Sequence, residues 1–221
     1  PRREEFAEST RYLTYQVGKL GIEVRLNTEA TPRLIQQLNP DAVVMATGST
    51  PHIPPIPGAD GPNVLTTWQV LRGENTVGKR VVVMGGLEEH QAPLQLAEFL
   101  ADRGSQVEVV SELMQVGQGI EPGTMHLLMK RILEKDIKLT NLTAVKAIQG
   151  SRLLTYNVFT KKEGAIEGVD TVVLALGNRA NDSLYRSLKG QVKEIYAIGD
   201  CLAPRRVLHA VLEGSRAGRY I

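Results

Sequence analysis

Lys79-Arg80-Val81-Val82-Val83-Met84-Gly85-Gly86 is the stretch on which the fold turns. Four apolar residues run together and end on two glycines. A half-exposed strand alternates apolar and polar side chains, whereas a strand buried on both faces of a parallel sheet does not. Residues 93–103 follow as a helix with Leu94, Ala97, Phe99 and Leu100 as its apolar members, and residues 106–110 form another strand. Residues 79–110 therefore read as one β-α-β unit, whose crossover is expected to be right-handed.

Toward the C-terminus, residues 124–134 read as a helix and Ile137-Lys138-Leu139 as a strand. Residues 144–148, 153–159 and 168–174 read as short strands punctuated by turns at Gln149-Gly150 and Glu163-Gly164, an antiparallel meander. A strand at 194–198 then delivers Gly199-Asp200 ahead of a helix over about 206–220. Toward the N-terminus, residues 67–71 suit a short helix. Pro51, Pro54, Pro55, Pro57 and Pro62 exclude helix and central strand and mark an extended connection. The run 41–46 ends in Thr47-Gly48-Ser49 and has the pattern of a second buried parallel strand. Residues 22–26 alternate as a short strand. Phe6, Leu13, Val17 and Leu20 define one face of an opening helix that Gly21 stops.

Two segments repeat one theme. Asp41-Ala42-Val43-Val44-Met45-Ala46-Thr47-Gly48 parallels Asp170-Thr171-Val172-Val173-Leu174-Ala175-Leu176-Gly177. Each is an aspartate, an apolar strand and Ala-x-Gly, as duplication of one supersecondary unit would produce. Chance resemblance between two buried strands competes with that explanation.

The totals bound the function. With 221 residues and 42% hydrophobic content the chain can build one large core or two small ones. A net charge of +2 points away from a nucleic-acid binder, and no apolar run is long enough to span a membrane. The charged opening does not resemble a signal peptide. Cys201 is the single cysteine, so no internal disulfide can form, and a reducing, cytoplasmic setting is expected. His52, His90, His126 and His209 lack ligand spacing, so no metal site is expected.

Gly85-Gly86 sits where a dinucleotide fold places its phosphate loop, after a buried strand and before a helix. Such a loop needs glycine for the turn, for backbone approach to the pyrophosphate and for close helix packing. Here the pattern asks for glycine at 85, 87 and 90 and finds Gly85, Leu87 and His90, with Glu88 and Glu89 where phosphate charge would approach. The loop Gly85, Gly86, Leu87, Glu88 therefore reads as a degenerate NAD(P) site kept as scaffold. Glu112, after the next strand, lies one place late for a ribose-binding acid. The turn Gly199-Asp200 is the stronger signal. Its carboxylate can accept a hydrogen bond from a ribityl hydroxyl, although a helix cap or turn aspartate looks the same locally.

Ala46-Thr47-Gly48-Ser49 with the prolines after it, together with Tyr196-Ala197-Ile198-Gly199-Asp200, resembles the flavoproteins with two dinucleotide-binding domains. The whole chain is similar to the C-terminal region of the multidomain NADH:flavin oxidoreductases, the family of trimethylamine dehydrogenase, histamine dehydrogenase and 2,4-dienoyl-CoA reductase. The loop 85–93 and Ala203-Pro204-Arg205 look most like the trimethylamine dehydrogenase branch. The resemblance implies an α/β fold of two interleaved Rossmann-like, three-layer units with an antiparallel meander. Residues 1–74 and 179–221 would form an FAD- or ADP-binding domain lacking its first βα unit, and residues 75–178 an inserted NAD(P)-binding-type domain. It implies that Ala46, Thr47, Gly48 and Ser49 line the dinucleotide and that Asp200 approaches the ribityl chain. Gly199, Cys201 and Leu208 complete the cofactor-binding set, and no catalytic residue is assigned. It further implies a parent polypeptide with an N-terminal barrel, FMN and an iron–sulfur cluster. One cysteine cannot hold that cluster, which takes four thiolates, so the chain reads as part of a longer protein. The rival classes are a non-catalytic ADP-binding or assembly module and a free-standing pyridine-nucleotide reductase. Cys201 reads as a packed thiol, Arg205-Arg206 as a solvated pair, and Trp68 and Tyr12 as core or interface residues. An uncovered sheet edge is expected to favour homo-oligomers or poor solubility.

Overall fold

The computed structural model describes residues 4–86 and 91–221. In chain order the first half contains α1 (Phe6–Lys19), α2 (Pro32–Leu38), β1 (Ala42–Met45), β2 (Ser49–Pro51), β3 (Val64–Thr66), α3 (Thr67–Arg72), β4 (Arg80–Gly85), α4 (Ala92–Ala101) and β5 (Gln106–Val110). The second half contains α5 (Pro122–Glu134), β6 (Lys138–Thr140), β7 (Thr143–Gln149), β8 (Arg152–Asn157), β9 (Glu163–Ile166), β10 (Thr171–Ala175), β11 (Asn178–Ala180), α6 (Ser183–Leu188), β12 (Glu194–Ala197), a 3-10 turn (Gly199–Cys201) and α7 (Val207–Tyr220). Among the described residues no helix is long and apolar enough to cross a membrane.

The chain divides into two compact units, residues 1–43 with 183–196 and residues 44–182 with 197–221. In the first, Thr31 caps α2 by accepting a hydrogen bond from the Leu34 N–H at 3.2 Å, and Pro32 needs no N–H in that first turn. Ile35 is the buried residue of α2, which packs against α6. Gln36 donates to Gln191 at 2.6 Å, and Lys193 pairs with Asp41 at 2.6 Å. The apolar face of α1 buries no residue, and Tyr12 stands 62% exposed rather than in a core.

In the second unit a five-stranded sheet has the order β3-β10-β4-β5-β6, with every neighbouring pair parallel. Its strands alternate between two cores, as the period of two requires. Val81 and Val83 face Leu94, Ala97 and Leu100 of α4 and Leu128 and Ile132 of α5. Val82 and Met84 belong to the core that includes Ile148 and Leu153 of the β7-β8-β9 meander. The result is three layers, helices on sheet on meander. The uniformly apolar Val81–Met84 run is explained because both faces of β4 are covered.

Three expectations are corrected. Residues 168–174 are not the third meander strand: β10 lies between β3 and β4 in the parallel sheet, all five of its residues buried. That strand is instead β9, and Glu163-Gly164 is its start, not a turn. The continuous apolar run of β10 is the signature of two-sided burial, whereas β9 is short and mostly exposed. Residues 22–26 form no strand, because alternation without a hydrogen-bonding neighbour does not make a ladder. The run 42–45 is a strand, but Val44 is 41% exposed, so it is covered on one face only.

The repeated theme has a structural counterpart. Gly48 and Gly177 both take positive φ, at 73° and 79°. Each Ala-x-Gly turn leads into a short strand, and these two strands, β2 and β11, pair antiparallel with Ser49 opposite Ala180 and Pro51 opposite Asn178. The N–H of Asn181 donates to the Gly48 carbonyl at 3.0 Å, and the N–H of His52 donates to the Gly177 carbonyl at 3.0 Å. These reciprocal bonds join the two turns through equivalent positions, four residues after each glycine.

Candidate functional site

The first site gathers around Asp200. β12 ends at Ala197, and the N–H of Ile198 donates to the Met45 carbonyl at 3.0 Å, joining the strand end to that of β1. The chain then turns through Gly199 at φ 61°, a conformation that favours glycine. A Cβ at Gly199 would also lie 3.3 Å from the Ala210 Cβ on α7. Asp200 follows with both carboxylate oxygens engaged. Oδ2 accepts from Ser49 Oγ at 2.9 Å, and Oδ1 accepts from the Arg205 N–H at 3.3 Å.

Of the residues expected at the site, Ser49 and Asp200 therefore touch across 151 positions of sequence. Thr47 instead donates its hydroxyl to the Asn181 carbonyl, within the paired turns. Ala46 is exposed, and Gly48 accepts the Asn181 N–H described above. Cys201 is a packed thiol at 1% exposure. Leu208 stands 70% exposed on the first turn of α7. Arg205 is not a free cation, since its guanidinium pairs with Glu213.

Glu213 escaped the sequence reading. Its Oε2 accepts the Gly199 N–H at 2.8 Å and its Oε1 receives Arg205. Burial pushes its carboxyl up, but the Gly199 N–H, the Arg205 guanidinium and the His209 charge together hold it below the ordinary value. The only local signal is a glutamate just before Gly214, on a helix that otherwise looks amphipathic.

The second site is a cavity of about 330 Å³ at the carboxyl ends of β4, β5 and β10. Gly85 and Gly86 form part of its floor, with Leu176, Val145, Glu112 and His52 around it. Leu87 and Glu88, expected to belong to a degenerate NAD(P) loop, lie outside the described residues. A Cβ at Gly86 would come within 3.3 Å of the Leu176 Cα, so glycine there keeps two backbone segments close. His52 Nδ1 is buried with no hydrogen-bond partner among the described residues. Burial pushes the His52 ring toward its neutral form, and the Arg179 charge adds to this. A mainly apolar cleft with an unpartnered ring nitrogen and a carboxylate can take a flat heteroaromatic group with hydrogen-bonding edges. Among the described residues the lining includes no lysine or arginine.

The family of pyridine nucleotide-disulphide oxidoreductases matches residues 24–214. A metal reductase of Desulforamulus reducens is 28% identical over 241 residues, covering 96% of this chain and 36% of that protein. A dimethylamine dehydrogenase of Hyphomicrobium sp. is 31% identical over 223 residues, covering 85% of this chain and 30% of that protein. A 2-naphthoyl-CoA reductase, solved with 2-naphthoyl-CoA, superposes with a TM-score of 0.86 at 30% identity, covering 98% of this chain and 32% of the other. The chain thus spans about a third of the length of the relatives it matches.

Proposed function

The chain belongs to the pyridine nucleotide-disulphide oxidoreductase family, and from that premise we propose that it is the nucleotide-binding part of a longer flavin-dependent oxidoreductase. The observation that carries this reading is the Ser49–Asp200 contact, which brings the two sequence segments with flavoprotein character to one point. A carboxylate held by two donors is fixed in place and keeps acceptor capacity for a ligand hydroxyl.

Residues 1–74 and 179–221 form the FAD- or ADP-binding domain in this reading, and residues 75–178 the inserted NAD(P)-type domain. Ala46, Thr47, Gly48, Ser49, Gly199, Asp200 and Leu208 hold the flavin nucleotide, while Cys201 of the expected set contributes packing as a buried thiol. Bound FAD would supply electron transfer, and the role of these residues is to bind and orient it. The donor set fits: Gly48 with open space where a side chain would stand, a fixed carboxylate and a hydroxyl. The cavity beside Gly85 and Gly86 is the NAD(P) side, degenerate in its phosphate loop. FMN, the iron–sulfur cluster and the barrel domain belong to the rest of the parent polypeptide. Disulfide chemistry is not assigned to these residues, since Cys201 is their single cysteine. Its buried thiol suits a reducing cytoplasm.

Mass spectrometry of nucleotides released on denaturing the purified protein tests the reading. FAD supports a working flavin domain, and the absence of any nucleotide counts against the assignment. ADP alone supports the second reading, a structural nucleotide module, which is favoured by the loss of two of the three loop glycines in the sequence after Gly85. Asp200→Ala in the full-length parent is expected to weaken FAD or ADP binding by about 1–3 kcal/mol. An unchanged dissociation constant removes Asp200 from the site.

A further inference from the structure

We infer that Glu213 is the positioning residue of the nucleotide site, holding the Asp200 carboxylate in place through the Gly199 turn and Arg205. The inference rests on the reading that Asp200 contacts the nucleotide, and assigns a role to a residue that reading leaves out.

The geometry is a closed clamp. Glu213 lies on α7, one helical turn beyond His209 and Ala210. One of its oxygens takes the Gly199 N–H at 2.8 Å, the backbone donor directly before Asp200. Its other oxygen takes the Arg205 guanidinium, and the Arg205 N–H in turn donates to Asp200 Oδ1 at 3.3 Å. A single side chain therefore anchors both ends of the segment 199–205 that carries the carboxylate. The arrangement is specific to its partners. Gly199 is held at φ 61°, and its N–H finds its acceptor in Glu213. Arg205 also donates from Nε to the Ala203 carbonyl at 3.2 Å, which holds its side chain over its own segment. The side chain of Glu213 is 17% exposed, and its bonds are of the stronger, charge-assisted kind. A glutamate serving only to solubilise α7 would point to solvent and bind neither group.

If the clamp positions Asp200, losing Glu213 should have the same consequence for the ligand as losing Asp200 itself. FAD and, separately, ADP are titrated calorimetrically into nucleotide-free full-length protein bearing Glu213→Ala, Glu213→Gln, Asp200→Ala or the double change Asp200→Ala with Glu213→Ala. For whichever nucleotide the unaltered protein binds, Glu213→Ala is expected to raise Kd about tenfold. The double variant should be no weaker than Asp200→Ala alone, because coupled groups are not additive. Glu213→Gln keeps a carbonyl acceptor for Gly199 but loses the charge that holds Arg205, and should fall between the unaltered protein and Glu213→Ala. Should the alanine variant fail to fold, the glutamine variant carries the test. Two results overturn the inference: unaltered affinity in both Glu213 variants, or a Glu213 loss that adds in full to that of Asp200→Ala, as general destabilisation would. If Asp200→Ala weakens binding while the Glu213 variants do not, the clamp fails and the site stands. If Asp200→Ala has no effect, or the unaltered protein binds neither nucleotide, the reading of the site fails and the inference with it.

Discussion

Two glycines of the same neighbourhood should respond to alanine in opposite directions. Gly199 combines φ 61° with a Cβ that would press on Ala210 at 3.3 Å. Gly199→Ala is expected to cost about 1–2 kcal/mol from the left-handed backbone alone. Gly214 lies inside α7, where an added Cβ would meet Ile198 Cδ1 at an ordinary 3.8 Å. Gly214→Ala should stabilise by about 0.5–1 kcal/mol, because alanine gives up less backbone freedom on folding. Thermal denaturation of the pair checks the contrast, and equal shifts would refute it. A buried carboxylate supplies a pH test. Burial pushes the Glu98 carboxyl up, but hydrogen bonds and charge from Arg131, at 2.8 and 3.3 Å, and from Lys135 hold it below its ordinary value. A depressed folded pKa means that the unfolded chain binds the proton more readily. The stabilisation is then complete above pH 4.5 and fades as pH falls through the lower folded value. Glu98→Gln should flatten the fall in stability below about pH 4.5, and an unchanged acid limb in urea titrations would remove Glu98 from it. Some residues were legible in the sequence and others were not. Asp200 stood out because a Gly-Asp at a strand end is a local pattern. Glu213 did not, because its partners lie 14 and 8 positions away across a turn.

Among the elements, helices and buried strands were the most readable, since each announces itself by a period or by a long apolar run. Within α5 the burial contrast is sharp: Leu128 is 1% exposed and its neighbour Leu127 is 60% exposed. Leu128→Ala should cost about 2–5 kcal/mol by opening a cavity against the sheet. Leu127→Ala should stay within about 0.5 kcal/mol. Urea unfolding separates the two, and comparable losses would refute the packing described for α5. The elements that misled were those whose identity depends on a neighbour. Residues 22–26 alternate like a strand but pair with nothing among the described residues. β10 resembles the meander strands in length, yet inserts between β3 and β4 through the register that pairs Thr171 with Val81 and Val172 with both Val82 and Val64. Strand membership is a hydrogen-bonding relation, and one strand's own residues do not contain it.

Considered whole, the chain exposes large apolar side chains among its described residues. In one unit Phe6, Tyr12, Leu13 and Tyr15 of α1 are exposed, and in the other Val207, Leu208 and Val211 of α7. Faces of this kind on a chain spanning about a third of its relatives' length predict self-association when it is prepared alone. Sedimentation velocity should show concentration-dependent association that Val211→Glu reduces. A monodisperse monomer at high concentration would refute it. Local pattern was enough to establish the α/β class, the β-α-β unit at 79–110, the shared pattern of the two Ala-x-Gly segments and the candidacy of Asp200. Each of these depends on hydropathy period or on backbone chemistry within a few residues. Tertiary structure alone decided that β2 pairs with β11, that β10 is a central strand, that Ser49 reaches Asp200 and that Glu213 clamps the turn. These are contacts between distant segments, set by packing and register after the chain has folded, and no local stretch of residues encodes them.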